Sequence, residues 1–303
     1  MSLGVLNNIA AIYAENNLNA TQASLQNTLT QLSSGSRINS GADDAAGLSL
    51  ANGLTANSAA LTQSATNASE GVGLLQVADG ALSQVTNLLN RAVTLATEVS
   101  NGTLNATQDS AANSEFQSIL DEISNIGSTT TYNGQTVFGN SFQIFTGDGT
   151  KGGGFSDTID FQTLSSASVG DSTGSAGLVY TPGAGATSTL VYTPVAADSQ
   201  KLSTDTLSSA ANAQTALNDV YSAIQDVAAE RGYAGSQINT LNAVSNVAST
   251  EQENVTSAQN SIMATDYASA TSNLSKYEIL SQTGISALAQ ANSVQQEVLK
   301  LLQ

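Results

Sequence analysis

Apolar residues in this chain recur with a helical period towards both ends and with a period of two only in the middle. Residues 1–34 read as one helix, with Leu18, Leu25 and Leu32 seven apart and Leu29 filling the other seam position. Between Leu3 and Leu32 the sole charged residue is Glu15. A second helix is expected from about Asp43 to Val99, on a seven-residue lattice through Leu54, Leu61, Ala68, Leu75, Leu82, Leu89 and Ala96. A strict heptad of that length predicts a long rod with a coiled-coil-like stripe. Asp43 and Asp44 suit its N-terminus, where carboxylates cap free amides and face the helix dipole. Asn101-Gly102 should end it. A third helix, about 105–127, carries Phe116, Ile119, Leu120, Ile123 and Ile126 on one face and is expected to close at Gly127.

The period then changes. Tyr132-Asn133-Gly134 signals a tight turn. Residues 142–145 and 158–161 alternate as strands, joined by a Gly-rich turn from Gly147 to Gly154. Residues 165–200 are rich in Ser, Thr, Gly and Ala and hold a short repeat, Leu178 to Pro182 and Leu190 to Pro194, read as two short strands. Helix resumes near Thr204, with a stripe of Leu217, Tyr221, Ile224 and Val227 up to Gly232. A further stripe runs through Ile238, Leu241, Val244, Ala248, Val255, Ala258 and Ile262, marred by Glu251 at a seam position. The last helix carries Leu274, Tyr277, Leu288, Ala291, Val298 and Leu302; from Ile279 to Gln303 its charges are Glu297 and Lys300. The expected fold is mainly α with a small β part. It is a long antiparallel helical hairpin, a coiled-coil bundle with a β-hairpin tip and its N- and C-termini paired.

Composition sharpens this picture. Charged residues make up 10% of the chain, against roughly a quarter in an average domain. Ser, Thr, Asn, Gln and Ala dominate, so thin helix–helix seams fit better than a wide core. Neutral helices at both ends look like helices that need partners. A net charge of −17 argues against nucleic acid, since nothing here neutralises a run of phosphates, and against docking on anionic lipid. The absence of Cys excludes disulfides and thiolate metal sites. Neither a secretory signal peptide nor a membrane-spanning run is expected.

Several motifs carry a resemblance. Leu32 to Ser40, followed by Asp43-Asp44-Ala45-Ala46-Gly47, resembles the N-terminal signature of the bacterial flagellins nearly residue for residue. Tyr132-Asn133-Gly134 is similar to that family's aromatic-Asn-Gly turn. Asp266 to Ala268, Ser272 to Lys276, Ile279-Leu280, Leu288 to Asn292, Val298-Leu299 and Leu301-Leu302 resemble the C-terminal signature. The likeness covers about 1–162 and 205–303 and leaves the middle insert unassigned. Thr240 stands where an Arg is common, and Ser293 to Gln296 lacks a Pro often present there.

The resemblance implies a filament subunit that self-assembles into the bacterial flagellar filament, the helical propeller of swimming motility. It implies an inner-tube helix over 1–42 paired with 265–303, a helical rod and β-hairpin domain over 43–164 with 202–264, and a short variable outer insert over 165–201. Inner-tube packing then falls to Leu18, Leu25, Leu29, Leu32, Leu288, Ala291, Val298 and Leu302. Implied partners are further copies of the chain, the flagellar type III export machinery, an export chaperone and the filament cap. The implied location is extracellular.

Arg91, Leu95 and Glu115 match the family surface read by the vertebrate flagellin-sensing Toll-like receptor. Asn90, Val93 and Thr94 differ there from the common residues. Arg91 and Leu95 are i and i+4 on one helix and share a face; packing against the next subunit is the more economical role for that surface. Gly35, Arg37 and Asn39 are candidates for a hinge between inner and outer layers, and Ser33 to Ser36 serve equally as a plain helix stop. The Gly147–Gly154 run lacks the Gly-Lys-Ser/Thr of a phosphate loop. With no His and no Cys, the usual bases and thiolate nucleophiles are missing. No enzyme activity, metal or cofactor is expected. The Ser/Thr-rich surface permits O-glycosylation without showing it. The alternatives are a hook–filament junction protein of the same superfamily and, remotely, a secreted hydrolase using carboxylates.

Overall fold

The computed structural model describes residues 8–147, 156–169, 177–181, 189–193 and 202–301. Helices α1 (Ile9–Ser34), α2 (Ala45–Ser100) and α3 (Ala106–Thr129) come first. Next come three two-stranded antiparallel pairs: β1 (Thr131–Tyr132) with β2 (Gln135–Thr136), β3 (Ser141–Phe145) with β4 (Ser156–Asp160), and β5 (Gly177–Thr181) with β6 (Thr189–Thr193). After a 3-10 turn at Leu202–Thr204 come α4 (Ala210–Met263) and α5 (Tyr267–Leu301). The chain divides into two compact units, residues 1–56 with 254–303 and residues 57–253. No helix among the described residues is long and apolar enough to cross a membrane.

The 57–253 unit holds a contiguous core, whose buried members run from Ala68 to Leu241. The expected lattice of α2 is its spine: Leu61, Ala68, Leu75, Leu82, Leu89 and Ala96 are all buried. α3 lies antiparallel to α2, with Glu115 beside Arg91, and adds Phe116, Ile119, Leu120 and Ile123. α4 runs antiparallel to α2. Arg231 Nε donates to Asp79 Oδ1 at 2.7 Å, and a Cβ on Gly71 would stand 2.8 Å from Leu241.

The face of α4 differs from the expected stripe. Its buried line is Ala213, Ala216, Val220, Ala223, Val227 and Ala234, while Tyr221 is 50% exposed and Leu217 and Ile224 are half-buried. Small residues let the helices approach, and the bulkier ones one position on are displaced to the rim. Nor does α4 break at Gly232: it is one helix, because neither Gly232 nor Gly235 takes a positive φ and Tyr233 and Ala234 are fully buried. The seam avoids Glu251, which is exposed, by passing through Ala248 and half-buried Gln252 and Val255. Helix also resumes later than expected, at Ala210, with Thr204 ending the 3-10 turn.

The β segments hold to their turn chemistry. Asn133 (φ 50) and Gly134 (φ 79) link Tyr132 to Gln135 as a two-residue hairpin, the positive-φ pair that Asn-Gly favours. β3 and β4 pair from Ser141↔Asp160 to Phe145↔Ser156. Residues 148–155, most of the expected Gly-rich turn, lie outside the described residues, as do Pro182 and Pro194. The two repeats pair with each other, Leu178↔Tyr192 and Tyr180↔Leu190.

Two polar groups on α4 anchor β4 and the segment just after it. The Tyr233 hydroxyl accepts from Asp160 N–H at 3.2 Å, and Glu230 Oε1 accepts from Gln162 N–H at 3.1 Å. Burial pushes Glu230 up to about 7, against the hydrogen bond from Gln162.

Gly127 does not close α3, which continues to Thr129. A side chain there would collide with the Leu164 carbonyl oxygen. Hydrogen at Cα is what lets the 161–164 segment lie on the helix.

These contacts set two expectations. Gly127→Ala should destabilise the 57–253 unit by about 1–3 kcal/mol, although Ala is the better helix former. Gly80→Ala, in open space on α2, should stabilise it by about 0.5–1 kcal/mol. Urea denaturation measures both; equal shifts of one sign would contradict the close approach. Glu230 gives a pH dependence. Its folded value of about 7 lies above the ordinary 4.5, so the folded chain keeps a proton that the unfolded chain has lost between those values. Stability therefore falls as pH rises through that window. Glu230→Gln should match wild type near pH 4 and exceed it at pH 8 by on the order of 2 kcal/mol. A pH-independent difference would contradict this.

Candidate functional site

The other unit pairs α1 with α5. They are antiparallel: Asn8 Nδ2 donates to the Ala291 carbonyl at 3.0 Å, Leu18 meets Gly284, and Gly35 meets Tyr267. A Cβ on Gly284 would stand 3.3 Å from Leu18 Cδ1, so glycine lets the helices approach closely. Asn8 also caps α1 by accepting from Ala11 N–H. Of the residues expected to pack here, Leu18, Leu25, Leu32, Leu288 and Ala291 are half-buried on the facing sides. The side chain of Val298, and Leu302 entirely, lie outside the described residues.

Leu29 does not fill the seam position expected of it between α1 and α5. It is 47% exposed, and Thr28 takes the buried position at 7%. The seam steps back by four from Leu18, Leu25 and Leu32, to Ala14, Thr21 and Thr28, and Leu29 falls outside it. On α5 the same 3–4 alternation runs through Leu274, Tyr277, Ser281, Gly284, Leu288 and Ala291, all half-buried.

This pair is therefore unfinished as a packed object. Ile9 (61% exposed), Tyr13 (67%), Ile279 (65%) and Ile285 (55%) join Leu29 in facing out, as do Ile12, Leu280 and Val294. A groove of about 470 Å³ lined by Ala14, Leu18, Thr21, Tyr277, Leu280 and Gly284 runs between the helices. Along α1 there is one charge, Glu15.

At the end of α1 the chain is laced to the α4–α5 connection. Gly35 takes φ 70 as the left-handed stop. Arg37 N–H donates to the Met263 carbonyl at 2.7 Å and Thr265 N–H to the Gly35 carbonyl at 3.1 Å, flanking a bridge between Ser36 and Ala264. Arg37 Nη2 donates to the Ile262 carbonyl at 3.0 Å, and Asn39 Nδ2 to Ser36 O at 2.8 Å. Ile38 is buried beneath, 2% exposed. All three candidate junction residues thus sit in one backbone lacing. Asp43 accepts from the Asn39 and Ser40 amides, which hold its carboxyl below the usual range. Asp44 alone caps α2, accepting from Gly47 N–H at 2.8 Å. On the α5 side the lacing ends at the first of the C-terminal motifs, Asp266 to Ala268. There Asp266 accepts from Ala268 and Ser269 N–H as an N-cap.

Arg91 and Glu115, in the 57–253 unit, come together. Arg91 Nε donates to Glu115 Oε1 at 2.7 Å, with side chains 52% and 46% exposed. The bond from Arg91 holds the Glu115 carboxyl below its ordinary range. Leu95 does not share that surface. It is 3% exposed and belongs to the core cluster, because four residues overshoot the 3.6-residue turn and carry it round from Arg91 towards the core. No cluster of His, Cys, Asp and Glu fit for a metal occurs among the described residues.

Residues 5–143 match the family model of the bacterial flagellin N-terminal helical region, and residues 217–302 that of the C-terminal helical region. A flagellin of Halalkalibacterium halodurans is 31% identical over 296 residues, 97% of this chain and 98% of that protein. Flagellin A of Vibrio cholerae is 38% identical over 142 residues, 47% of this chain and 38% of its own length. The crystal structure of Bacillus cereus flagellin aligns with a TM-score of 0.43 at 26% identity, over 60% of this chain and 88% of that one. Matched at both ends by the family and nearly end to end by one relative, the chain belongs to the bacterial flagellins.

Proposed function

We propose that this chain is the structural subunit of a bacterial flagellar filament, and that α1 and α5 form its self-assembly element. The observation that carries this is the apolar surface left uncovered along the two terminal helices. At about 25 cal/mol per Å², burying such surface between copies supplies association energy, and the near-absence of charge on α1 removes repulsion between stacked copies. Flagellins are structural proteins; this one performs no catalysis. As a secreted filament component it leaves the cell through the flagellar type III export machinery, with an export chaperone and a filament cap as partners.

Leu18, Leu25, Leu32, Leu288 and Ala291 close the seam within one chain. Leu29 packs against a neighbour, together with Ile9, Ile12, Tyr13, Ile279 and Ile285. Gly35, Arg37 and Asn39 hold the junction at a fixed angle. Arg91 and Glu115 offer an exposed contact surface for an adjacent subunit and for a flagellin-sensing Toll-like receptor, with Leu95 supporting it from below. The junction-protein and hydrolase readings are not favoured by any feature of either unit.

Purified chain brought to high sulfate concentration should form filaments in negative stain, since excluded salts strengthen apolar burial. Deleting residues 279–303, the last 25, should abolish filaments while the 57–253 unit still unfolds cooperatively. Polymerisation of the truncated chain would refute the assembly role of α5. Arg91→Ala should leave the melting temperature unchanged, because an exposed ion pair contributes little. It should raise the critical concentration for polymerisation and weaken receptor binding by the monomer. If neither moves, the Arg91–Glu115 surface contacts nothing.

A further inference from the structure

The two broad sides of the α1–α5 pair are unlike. One side holds the groove, walled on α5 by Leu280, Thr283 and Ala287 and on α1 by Asn17, Ala20 and Ser24. Lys276 stands four residues before Leu280. The spacing of four, three and four from Lys276 to Ala287 keeps these residues on one face of α5, with Lys276 at the end of the groove wall. Its Nζ lies 5.9 Å from the ring centroid of Tyr277, which also lines the groove. The opposite side is a ridge. On α1, Glu15, Gln22 and Leu29 recur every seven residues, and Glu15 and Leu29 lie about 150° around the helix from Asn17 and Ser24. On α5, Glu278 and Ile285 are likewise seven apart and about 150° around from Leu280. Leu29 and Ile285 are 47% and 55% exposed.

Charge divides along the same line. Lys276 is the sole cation among the side chains described on α1 and α5, and it belongs to the groove side. Glu15 and Glu278 belong to the ridge side. All three are exposed, and none forms an ion pair among the described residues. Glu297, the remaining charge described on these helices, lies beyond Ala287 and so past the end of the groove. Height matters as well. Glu278 is two residues from Lys276, about 3 Å along the axis. Ile285 is level with Gly284, which lines the groove. A second copy set beside the first at nearly equal height therefore makes two matches at once. Its Ile285 faces the groove while its Glu278 faces Lys276.

We propose that copies of the chain join through these unlike sides: the Leu29 and Ile285 ridge of one seats on the Tyr277–Leu280 groove of the next, with Glu278 paired to that copy's Lys276. The proposal rests on the self-assembly reading above and names its interface. A contact between two different faces is heterologous. Each added copy leaves a free ridge on one side and a free groove on the other, so growth continues instead of closing into a dimer. The apolar insertion removes exposed surface from water. The ion pair sets direction and register, since ridge against ridge would bring Glu15 and Glu278 onto like charges and groove against groove would oppose two Lys276 side chains. A charge enclosed in the contact without its partner would be costly, so both members of the pair are needed.

Charge reversal in the full-length chain tests this. The readout is the critical concentration for polymerisation at the lowest sulfate concentration that supports wild-type filaments, because an enclosed pair is screened less than an exposed one. Lys276→Glu and Glu278→Lys should each raise it about tenfold or more. The double variant should return it to near the wild-type value. Residues two apart do not face each other on a helix, so that recovery comes from contacts between chains. An equimolar mixture of the two single variants should polymerise where neither does alone, because every ridge then meets a groove of opposite charge. Recovery in the mixture also shows that both variants fold. Unchanged critical concentrations in the single variants overturn the proposal, as does failure of both the double variant and the mixture to recover. Recovery of Lys276→Glu by Glu15→Lys instead of Glu278→Lys overturns the pairing. Absence of filaments from the wild type would sink the assembly reading and this interface with it, whereas filaments indifferent to the reversals sink the interface alone.

Discussion

Close approach of small side chains is the constraint on which this structure depends. The sequence offers few wide apolar residues, so helices bury area only by coming near one another. In the 57–253 unit Ala213, Ala216, Ala223 and Ala234 of α4 do this, as do Gly71 of α2 against Leu241 and Gly127 of α3 against the backbone at Leu164. The result is a closed core. Between α1 and α5 the same device, Gly284 against Leu18, makes a seam but not a core. Two helices have only one side each to share, and the apolar residues on their outer sides stay exposed.

That contrast connects packing to function. The core cluster runs from Ala68 to Leu241, and within the other unit Ile38, Ala51 and Ala270 are the buried apolar residues among those described. An isolated helix pair with so little burial is marginal, since helical stability in proteins comes mostly from packing. The proposed assembly role fits this division between a unit with a closed core and a helix pair with its outer faces uncovered. The lacing of Gly35, Ser36 and Arg37 onto Met263, Ala264 and Thr265 ties the end of α1 to the start of α5 through backbone bonds that tolerate changes of side chain.

Much of this was legible in the sequence, for definite reasons. The α2 lattice was visible because large residues recur every seven and each has a core to enter. The Asn133-Gly134 turn was visible because its backbone demands those residue types. What escaped was decided by proximity rather than by size. Leu29 looks like a seam residue and Thr28 does not, yet the crossing of α1 over α5 buries the smaller one. Leu217 and Tyr221 outrank Ala216 and Val220 in size but stand at the rim. Gly127 has the look of a helix stop, and its cause lies at Leu164, far along the chain. Leu95 matches a family contact position and stands four residues from Arg91, yet the overshoot beyond one 3.6-residue turn is enough to bury it. The family, by contrast, was legible from short motifs at both ends, because the junction and capping residues Gly35, Arg37, Asn39, Asp43 and Asp44 are fixed by local hydrogen bonding.

The central claim is that α1 and α5 are completed by other copies of the chain. Amide hydrogen exchange over residues 9–34 and 267–301, compared between the free chain and the salted-out polymer, tests it most directly. The account predicts rapid exchange in the free chain and strong protection in the polymer, with the 57–253 core protected in both. Equal protection of the two helices in both states would contradict it.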